Sequence, residues 1–113
     1  MAGKFELKKS SNGKFFFNLL AGNGQIVLTS EMYETKPSAA NGIESVKKNA
    51  GDAARFEKLV NQGGKPYFVL KAANHQVIGS SQMYASEAGR DQGVASVQAN
   101  GGSADIRDLS GEA

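Results

Sequence analysis

The chain contains no cysteine and no tryptophan, and only one histidine and two prolines occur among its 113 residues. Without cysteine, no disulfide can stabilise the fold, and a reducing compartment is compatible with the composition. One histidine and no cysteine leave too few of the ligands that zinc prefers, so we expect no metal site. No segment approaches the roughly 20 consecutive apolar residues that a membrane span requires.

The excess of basic over acidic residues is also small, since the formal net charge is only +2. Residues 1–51 carry seven lysines against four acids, whereas residues 103–113 carry one arginine against three acids. A dedicated nucleic-acid-binding domain usually has a stronger basic bias. The first nine residues lack the apolar run of a secretory signal. We therefore expect a soluble cytoplasmic protein that binds no membrane.

The chain does contain an internal repeat, because its second half resembles its first half in sequence. Residues 5–51 align without a gap on residues 56–102, and 17 of the 47 aligned pairs are identical. A period of about 50 residues indicates a duplicated unit of strands and helices. One such unit buries too little apolar surface to be stable alone. The two copies are therefore predicted to share one core.

Each copy is predicted to form three strands and a helix. In the first copy, alternating residues at 5–8 and 14–21 flank a turn, and a third strand follows at 25–30. Thr35 is a predicted helix N-cap, and apolar residues then recur at helical spacing as far as Ala50. The second copy repeats this plan.

The C-terminal segment is predicted to be a closing strand. Residues 104–109 repeat the pattern of residues 54–59, and both segments directly follow a predicted helix. The expected fold is α+β, a tandem duplication of a β-β-β-α(-β) unit. It forms one antiparallel sheet with both helices on one face, and its C-terminal strand pairs with the other repeat. The predicted boundaries are one domain over 1–113, repeats at 4–53 and 54–109, and a frayed tail at 110–113.

Several motifs occur in both copies. In the first copy they are Phe17-x-Leu19-x-Ala21-x-Asn23-Gly24, Ser30-x-x-Tyr33 and Gly42-Ile43-x-Ser45-Val46-Lys47. In the second they are Phe68-x-Leu70-Lys71-Ala72-x-Asn74, Ser81-x-x-Tyr84 and Gly93-Val94-x-Ser96-Val97. Over nearly the whole chain, the sequence resembles the YegP family of small bacterial proteins. The resemblance implies a β-β-β-α-β unit, in tandem or as a two-subunit dimer, with exchanged C-terminal strands. Because that family is a domain of unknown function, it implies no catalytic or binding residues.

The residues give little support to catalysis. His75 aligns with Gly24 in a predicted turn, which favours an exposed turn residue over a general base. The acidic residues are scattered, and no phosphate-cradling glycine motif occurs. We therefore expect no enzyme, no catalytic residue and no cofactor. A hydrolase or lyase with a cleft between the repeats is the less favoured alternative.

Partner binding is the favoured interpretation, through the open sheet face or its edge. Phe16 and Tyr67 are predicted to point away from the core, among lysines. Aromatic rings among lysines are typical of surfaces that stack unpaired bases, so single-stranded nucleic-acid binding is the alternative. Cross-strand packing that stiffens an exposed sheet face is the structural interpretation. A contiguous aromatic and basic patch would favour nucleic acid. The candidate partner-binding residues are Phe16, Tyr67, Lys14, Lys65, Lys71, Tyr33 and Tyr84.

Two further motifs favour structural roles. Tyr33 and Tyr84 end the matching Ser-x-Met-Tyr motifs, where the third strand meets the helix. We expect a structural corner with the Met and Tyr side chains beneath the helix, although symmetric pockets with tyrosine hydroxyls at their mouths are an alternative. Gly42 and Gly93 share one helical position, which indicates close helix packing. Because the chain supplies both halves of a pseudo-two-fold body, we predict a monomer.

Overall fold

A computed structural model of the chain describes residues 3–102 and 104–110. The predicted frayed tail therefore lies, beyond Ser110, outside the described residues. Within them, seven strands and two α-helices follow one another, with a single 3₁₀ turn at Ala53–Arg55. They are β1 (Lys4–Lys9), β2 (Phe15–Leu20), β3 (Ile26–Ser30), α1 (Lys36–Asn49), β4 (Phe56–Val60), β5 (Pro66–Lys71), β6 (Val77–Ser80), α2 (Glu87–Asn100) and β7 (Asp105–Asp108).

All seven strands form one sheet, in the order β4-β5-β6-β3-β2-β1-β7. The two copies meet at its centre, where Thr29 of β3 lies opposite Ser80 of β6. The predicted duplicated α+β fold is confirmed, and β7 pairs with β1 of the other copy. That pair is parallel, so the expectation of a wholly antiparallel sheet is corrected at this position. The chain reaches β7 through α2 rather than through a tight turn, and a helical crossover lets a strand run parallel to its neighbour.

The hairpin turns fix where the strands end. Gly13, Gly24 and Gly64 have φ angles of 83°, 86° and 81° in these turns. Glycine adopts this left-handed conformation without the steric cost of a Cβ atom. His75 occupies the fourth such position with φ of 69°, and it is exposed, as expected of a turn residue.

Both helices lie on one face of the sheet and begin at side-chain caps. The Thr35 hydroxyl accepts a hydrogen bond from the Ser38 N–H, and Ser86 caps α2 in the same way. α2 also packs against β3, and α1 against β5 and β6, so each helix reaches the other copy. No helix of the described residues is long and apolar enough to cross a membrane. The core continues across both copies, and its fully buried large side chains are Phe5, Phe17, Leu19, Leu28, Ile43, Val46, Phe68, Leu70 and Val97.

Candidate partner-binding site

The sheet face that carries no helix, called here the open face, displays two of the predicted aromatic residues. A row of residues crosses its four central strands: Asn18, Thr29, Ser80 and Val69. Phe16 precedes this row by two residues on β2, and Tyr67 precedes it by two residues on β5, which runs in the opposite direction. At about 4.8 Å between strands and 3.3 Å per residue, the two side chains lie roughly 20 Å apart. They do not form one contiguous patch.

Two of the three predicted lysines lie close to acids. The Lys14 ammonium is 3.3 Å from the Glu34 carboxylate, and the Lys71 ammonium is 2.5 Å from that of Glu57. Lys65 is exposed where β5 begins. Such surface pairs add little to stability. They do neutralise positive charge that a nucleic-acid backbone would otherwise attract.

Tyr33 and Tyr84 lie on the helix side of the sheet, away from the open face. The Tyr33 ring is stacked on Phe17 with centroids 6.2 Å apart, and the Tyr84 ring is stacked on Phe68 with centroids 6.3 Å apart. Burial, and secondarily the charge of Glu31, raises the pKa of Tyr33. The structure thus separates the two tyrosines from the aromatic side chains of the open face.

The tyrosine hydroxyls abut the two helix glycines. A Cβ atom on Gly42 would overlap the Tyr33 hydroxyl and lie 2.9 Å from Cε2 of Phe17. A Cβ atom on Gly93 would overlap the Tyr84 hydroxyl in the same way. The glycines therefore permit the close helix packing that their shared position predicts.

The serines of the same motifs fix the corner between strand and helix. The hydroxyls of Ser30 and Ser81 accept hydrogen bonds from buried phenylalanine N–H groups of β2 and β5, at 2.8 and 3.0 Å. Each hydroxyl also donates to the carbonyl of the next residue, at 2.8 Å. Met32 and Met83 are 53% and 45% exposed, so the prediction that they pack beneath the helices was wrong. Neighbouring side chains of an extended segment point in opposite directions, so a tyrosine that packs against the core leaves the preceding methionine outside.

Two clefts related by the duplication lie between helices and turns. One, of about 310 Å³, separates α2 from the β2–β3 turn, and the other, of about 280 Å³, separates α1 from the β5–β6 turn. Tyr84 lines the larger cleft together with amide and hydroxyl side chains, and no carboxylate, imidazole or amine is among its lining residues. Across the described chain, no cluster of three or more acidic or histidine side chains could hold a metal ion.

The edge strands of the sheet are β4 and β7, so the two strands that the duplication relates, β1 and β4, differ in position, and this difference defines the candidate site. β1 and β4 are counterparts in the duplication, yet β1 is covered by β7, whereas β4 has no outer neighbour among the described residues. Phe5 is fully buried on β1, but its counterpart Phe56 is only partly buried. The outer side of β4, residues 56–60, is called here the β4 edge.

The covered edge shows how a strand is fastened there. The Leu109 N–H donates to the Leu7 carbonyl at 2.7 Å, and Lys36 of α1 forms an ion pair with Asp108. Lys36, and then Ser110, hold the pKa of the Asp108 carboxyl at about 2. Main-chain hydrogen bonds and one charge contact from the helix therefore secure β7.

The β4 edge presents the corresponding groups, and no strand of the described residues lies beside them. Lys58 is the counterpart of Leu7, whose peptide groups face β7, so the N–H and C=O of Lys58 face away from β5. The Lys58 ammonium lies 3.1 Å from the Asp91 carboxylate of α2. Lys58, and also Arg90, lower the pKa of Asp91. Val60 at the end of the edge is 58% exposed.

Comparison with known proteins gives the same duplication. The profile of a family described as a domain of unknown function, DUF1508, matches residues 10–57 and 61–108. A UPF0339 protein of Acinetobacter baylyi is 57% identical over 111 residues, which is 98% of this chain and 100% of that protein. The UPF0339 protein YegP of Escherichia coli K12 is 56% identical over 108 residues, which is 96% of this chain and 98% of that protein.

Two solution NMR structures are similar along the whole fold. A UPF0339 protein of Shewanella oneidensis has a TM-score of 0.91 at 56% identity, covering 97% of this chain and 93% of that one. YegP of E. coli, described as a protein of unknown function, has a TM-score of 0.93 at 55% identity, covering 100% and 97%. The resemblance expected from the motifs is confirmed, and the chain belongs to the YegP family, whose domain of unknown function it carries in two tandem copies.

Proposed function

We propose that this protein is a non-enzymatic binding module that captures an extended segment of a protein partner along the β4 edge. One observation carries the proposal: the symmetry of the sheet creates a strand position beside β4 that the described chain does not fill. The counterpart position beside β1 holds β7. The same local structure therefore accepts a strand at one end of the sheet and offers a place for one at the other.

The vacant position follows from how the chain uses its strands. β1 opens the first copy and β7 closes the second, and these two strands lie side by side. β4 follows α1 as a closing strand would, but it pairs with β5 as an opening strand. The β4 end of the sheet therefore has one strand, β4, where the other end has two, β1 and β7.

An extended peptide is the partner that suits this position. Strand addition supplies main-chain hydrogen bonds for affinity and side-chain contacts for specificity. The N–H and C=O of Lys58 are directed outward, and the partly buried Phe56 offers apolar surface to an incoming side chain. An edge strand with unpaired peptide groups is a template for pairing with another chain.

The nucleic-acid alternative has less support from the geometry. A stacking platform needs rings close enough for successive bases, whereas Phe16 and Tyr67 lie roughly 20 Å apart by strand spacing. Lys14 and Lys71 are also next to carboxylates. These features support cross-strand packing on the open face and leave the β4 edge as the favoured binding surface.

The test is a selection followed by mapping. Random short peptides displayed on phage would be selected on the full chain, and a recovered peptide would be titrated into the ¹⁵N-labelled protein. We expect chemical-shift changes and slowed amide exchange at residues 56–60. Lys58→Pro removes the outward N–H but keeps the ladder to β5, since proline is tolerated on an edge strand. It should weaken binding about tenfold, the value of one main-chain hydrogen bond.

Lys58→Ala is the matched control, because it removes the side chain and keeps the N–H. Its affinity for the peptide should stay close to that of the original chain. Recovered peptides that shift only the open face, or that bind the Lys58→Pro variant equally well, would overturn the proposal. A parallel titration with mixed-sequence single-stranded DNA at near-physiological salt tests the alternative, which requires shifts at Phe16 and Tyr67.

A further inference from the structure

We infer that the segment recognised at the β4 edge runs parallel to β4 and carries the side-chain pattern acidic, apolar, basic, basic. This inference rests on the proposed function and deepens it, because it names the chemistry of the partner segment. β7 supplies the template, since it already occupies the equivalent position beside β1. Its residues face β1 as the pairs Asp105–Lys4, Ile106–Phe5, Arg107–Glu6 and Asp108–Leu7.

Three of the four facing residues keep their character on β4 and the residue just before it. Arg55, Phe56 and Glu57 replace a lysine, a phenylalanine and a glutamate of β1. Arg55 lies 3.6 Å from Asp52 and Glu57 lies 2.5 Å from Lys71. Glu6 likewise lies near Lys4 and Lys8 and still faces Arg107 of β7. By this template, an acidic side chain suits a position opposite Arg55, an apolar one suits Phe56, and a basic one suits Glu57. The first three residues of the partner segment therefore follow the pattern of β7.

The fourth position has the opposite charge preference. Beside β1, Asp108 forms an ion pair with Lys36, the first residue of α1. The first residue of α2 is the counterpart of Lys36, and it is Glu87. Glu87 is exposed, and no ion pair joins it to another described residue. An aspartate arriving at the fourth position would meet this carboxylate, whereas a lysine or arginine would pair with it.

The neighbouring charges do not compensate for Glu87. Lys58 lies opposite the fourth position, but its ammonium is 3.1 Å from Asp91. Nε of the buried Arg90 also lies 3.3 Å from that carboxylate. Both cations are therefore occupied by Asp91, and Glu87 remains the carboxylate available to an arriving side chain.

The charge inversion also determines which occupant is excluded. A second copy that docked in this parallel mode through its own β7 would place Asp108 at the fourth position. Glu87 opposes that strand by like-charge repulsion, which is a common means of rejecting wrong partners. The position therefore favours a segment of another protein, with a basic residue where this chain has Asp108.

Two synthetic peptides test the pattern directly. The first copies residues 104–110, and the second is its Asp108→Lys version. Each is titrated into the ¹⁵N-labelled full chain at low salt, and amide shifts at residues 56–60 give the dissociation constants. The Asp108→Lys peptide should bind about three- to tenfold more tightly, because repulsion at an exposed site becomes attraction. The difference should shrink as salt is added.

A charge swap on the protein is the decisive control. Glu87→Lys should reverse the order of the two peptides, and α1 shows that a helix at this place can begin with lysine. Glu44→Lys, at an exposed site on α1, makes the same change in net charge and should keep the original order.

The outcomes separate this inference from the proposed function. Equal binding of both peptides at residues 56–60, or an unchanged order in Glu87→Lys, would overturn the charge pattern and leave the edge as a binding site. If neither peptide shifts the amides of the β4 edge, the charge pattern is overturned. The proposed function is overturned as well only if the peptides recovered from the phage selection also cause no shifts at this edge.

Discussion

At the scale of single residues, the two helix glycines face a strict steric requirement. Gly93 lies where a Cβ atom would overlap the Tyr84 hydroxyl and approach Cε2 of Phe68 to 3.0 Å. The Tyr84 ring is stacked on Phe68 and cannot retreat from the helix without disturbing the core. We expect Gly93→Ala to lower the free energy of unfolding by about 1–2 kcal/mol, because overpacking outweighs the gain in helix propensity. Urea denaturation followed by circular dichroism measures this.

Gly89 provides a matched control on the same helix. The atoms nearest to an added Cβ atom there lie at 3.5, 3.6 and 3.8 Å, which is ordinary contact. Gly89→Ala should therefore raise stability by about 0.5–1 kcal/mol through helix propensity alone. A Gly93→Ala variant as stable as Gly89→Ala would show that Tyr84 does not constrain the helix.

Single residues also show what the sequence can predict. His75 was assigned to an exposed turn because it aligns with Gly24, and the structure gives both residues the same left-handed backbone. Met32 was misplaced because its motif lies past the end of β3, where strand alternation no longer indicates which side chain turns inward. Local turn chemistry could be predicted here, but the direction of a side chain at a corner could not.

At the scale of elements, β7 is the strand whose attachment should depend on pH. Lys36, followed by Ser110, lowers the pKa of Asp108 from 3.8 to about 2. A lowered folded-state pKa gives stabilisation that is complete above the unfolded-state pKa and is lost as pH falls through the folded-state value. We therefore expect β7 to loosen from about pH 4 to about pH 2. Amide exchange at residues 105–109, set against that of the central strands, measures the loosening.

Asp108→Asn separates this contact from the general effect of acid. The variant should show faster exchange at β7 already at neutral pH, and the acid-dependent change at β7 should be smaller than in the original chain. Carboxyl carbon shifts would report the titration of Asp108 itself. If the protection of the β7 amides, relative to that of the central strands, stays constant between pH 5 and pH 2 in the original chain, the role assigned to Lys36 is contradicted.

Elements could be predicted from the sequence better than their arrangement. Alternation, turn residues and caps located strands and helices, and the match of 104–109 to 54–59 located β7. The direction of β7 was missed because it depends on the path of α2 across the sheet, which is a tertiary property. The β4 edge was also missed as a specific site, because 54–59 matches an opening strand and a closing strand at once, and only the sheet order shows which role it takes.

At the scale of the whole molecule, the duplication explains both the shared core and the asymmetry. Two copies placed on one chain give a sheet with a pseudo-two-fold centre between Thr29 and Ser80. Alternation predicted correctly that Phe16 and Tyr67 avoid the core, yet it contained no information on their separation. That distance depends on β3 and β6 lying between β2 and β5. The sequence therefore left the open face and the edge as alternatives, and the sheet order favours the edge.

The oligomeric state tests this asymmetry, and we predict a monomer of 11.9 kDa. β7 covers the β1 edge within the same chain, so no second copy is needed there. On the β4 edge, antiparallel pairing of two copies about Lys58 would set the two lysines against each other, and a charged residue on an edge strand discourages such pairing.

Sedimentation equilibrium over a wide concentration range should show one species, for both the original chain and Lys58→Pro. A dimer that Lys58→Pro abolishes would place a second copy on the β4 edge, and a dimer that persists in Lys58→Pro would locate self-association on another surface. Either dimer would contradict the prediction of a monomer. Only the first would show that the segment bound at the β4 edge comes from a second copy of this chain rather than from another protein.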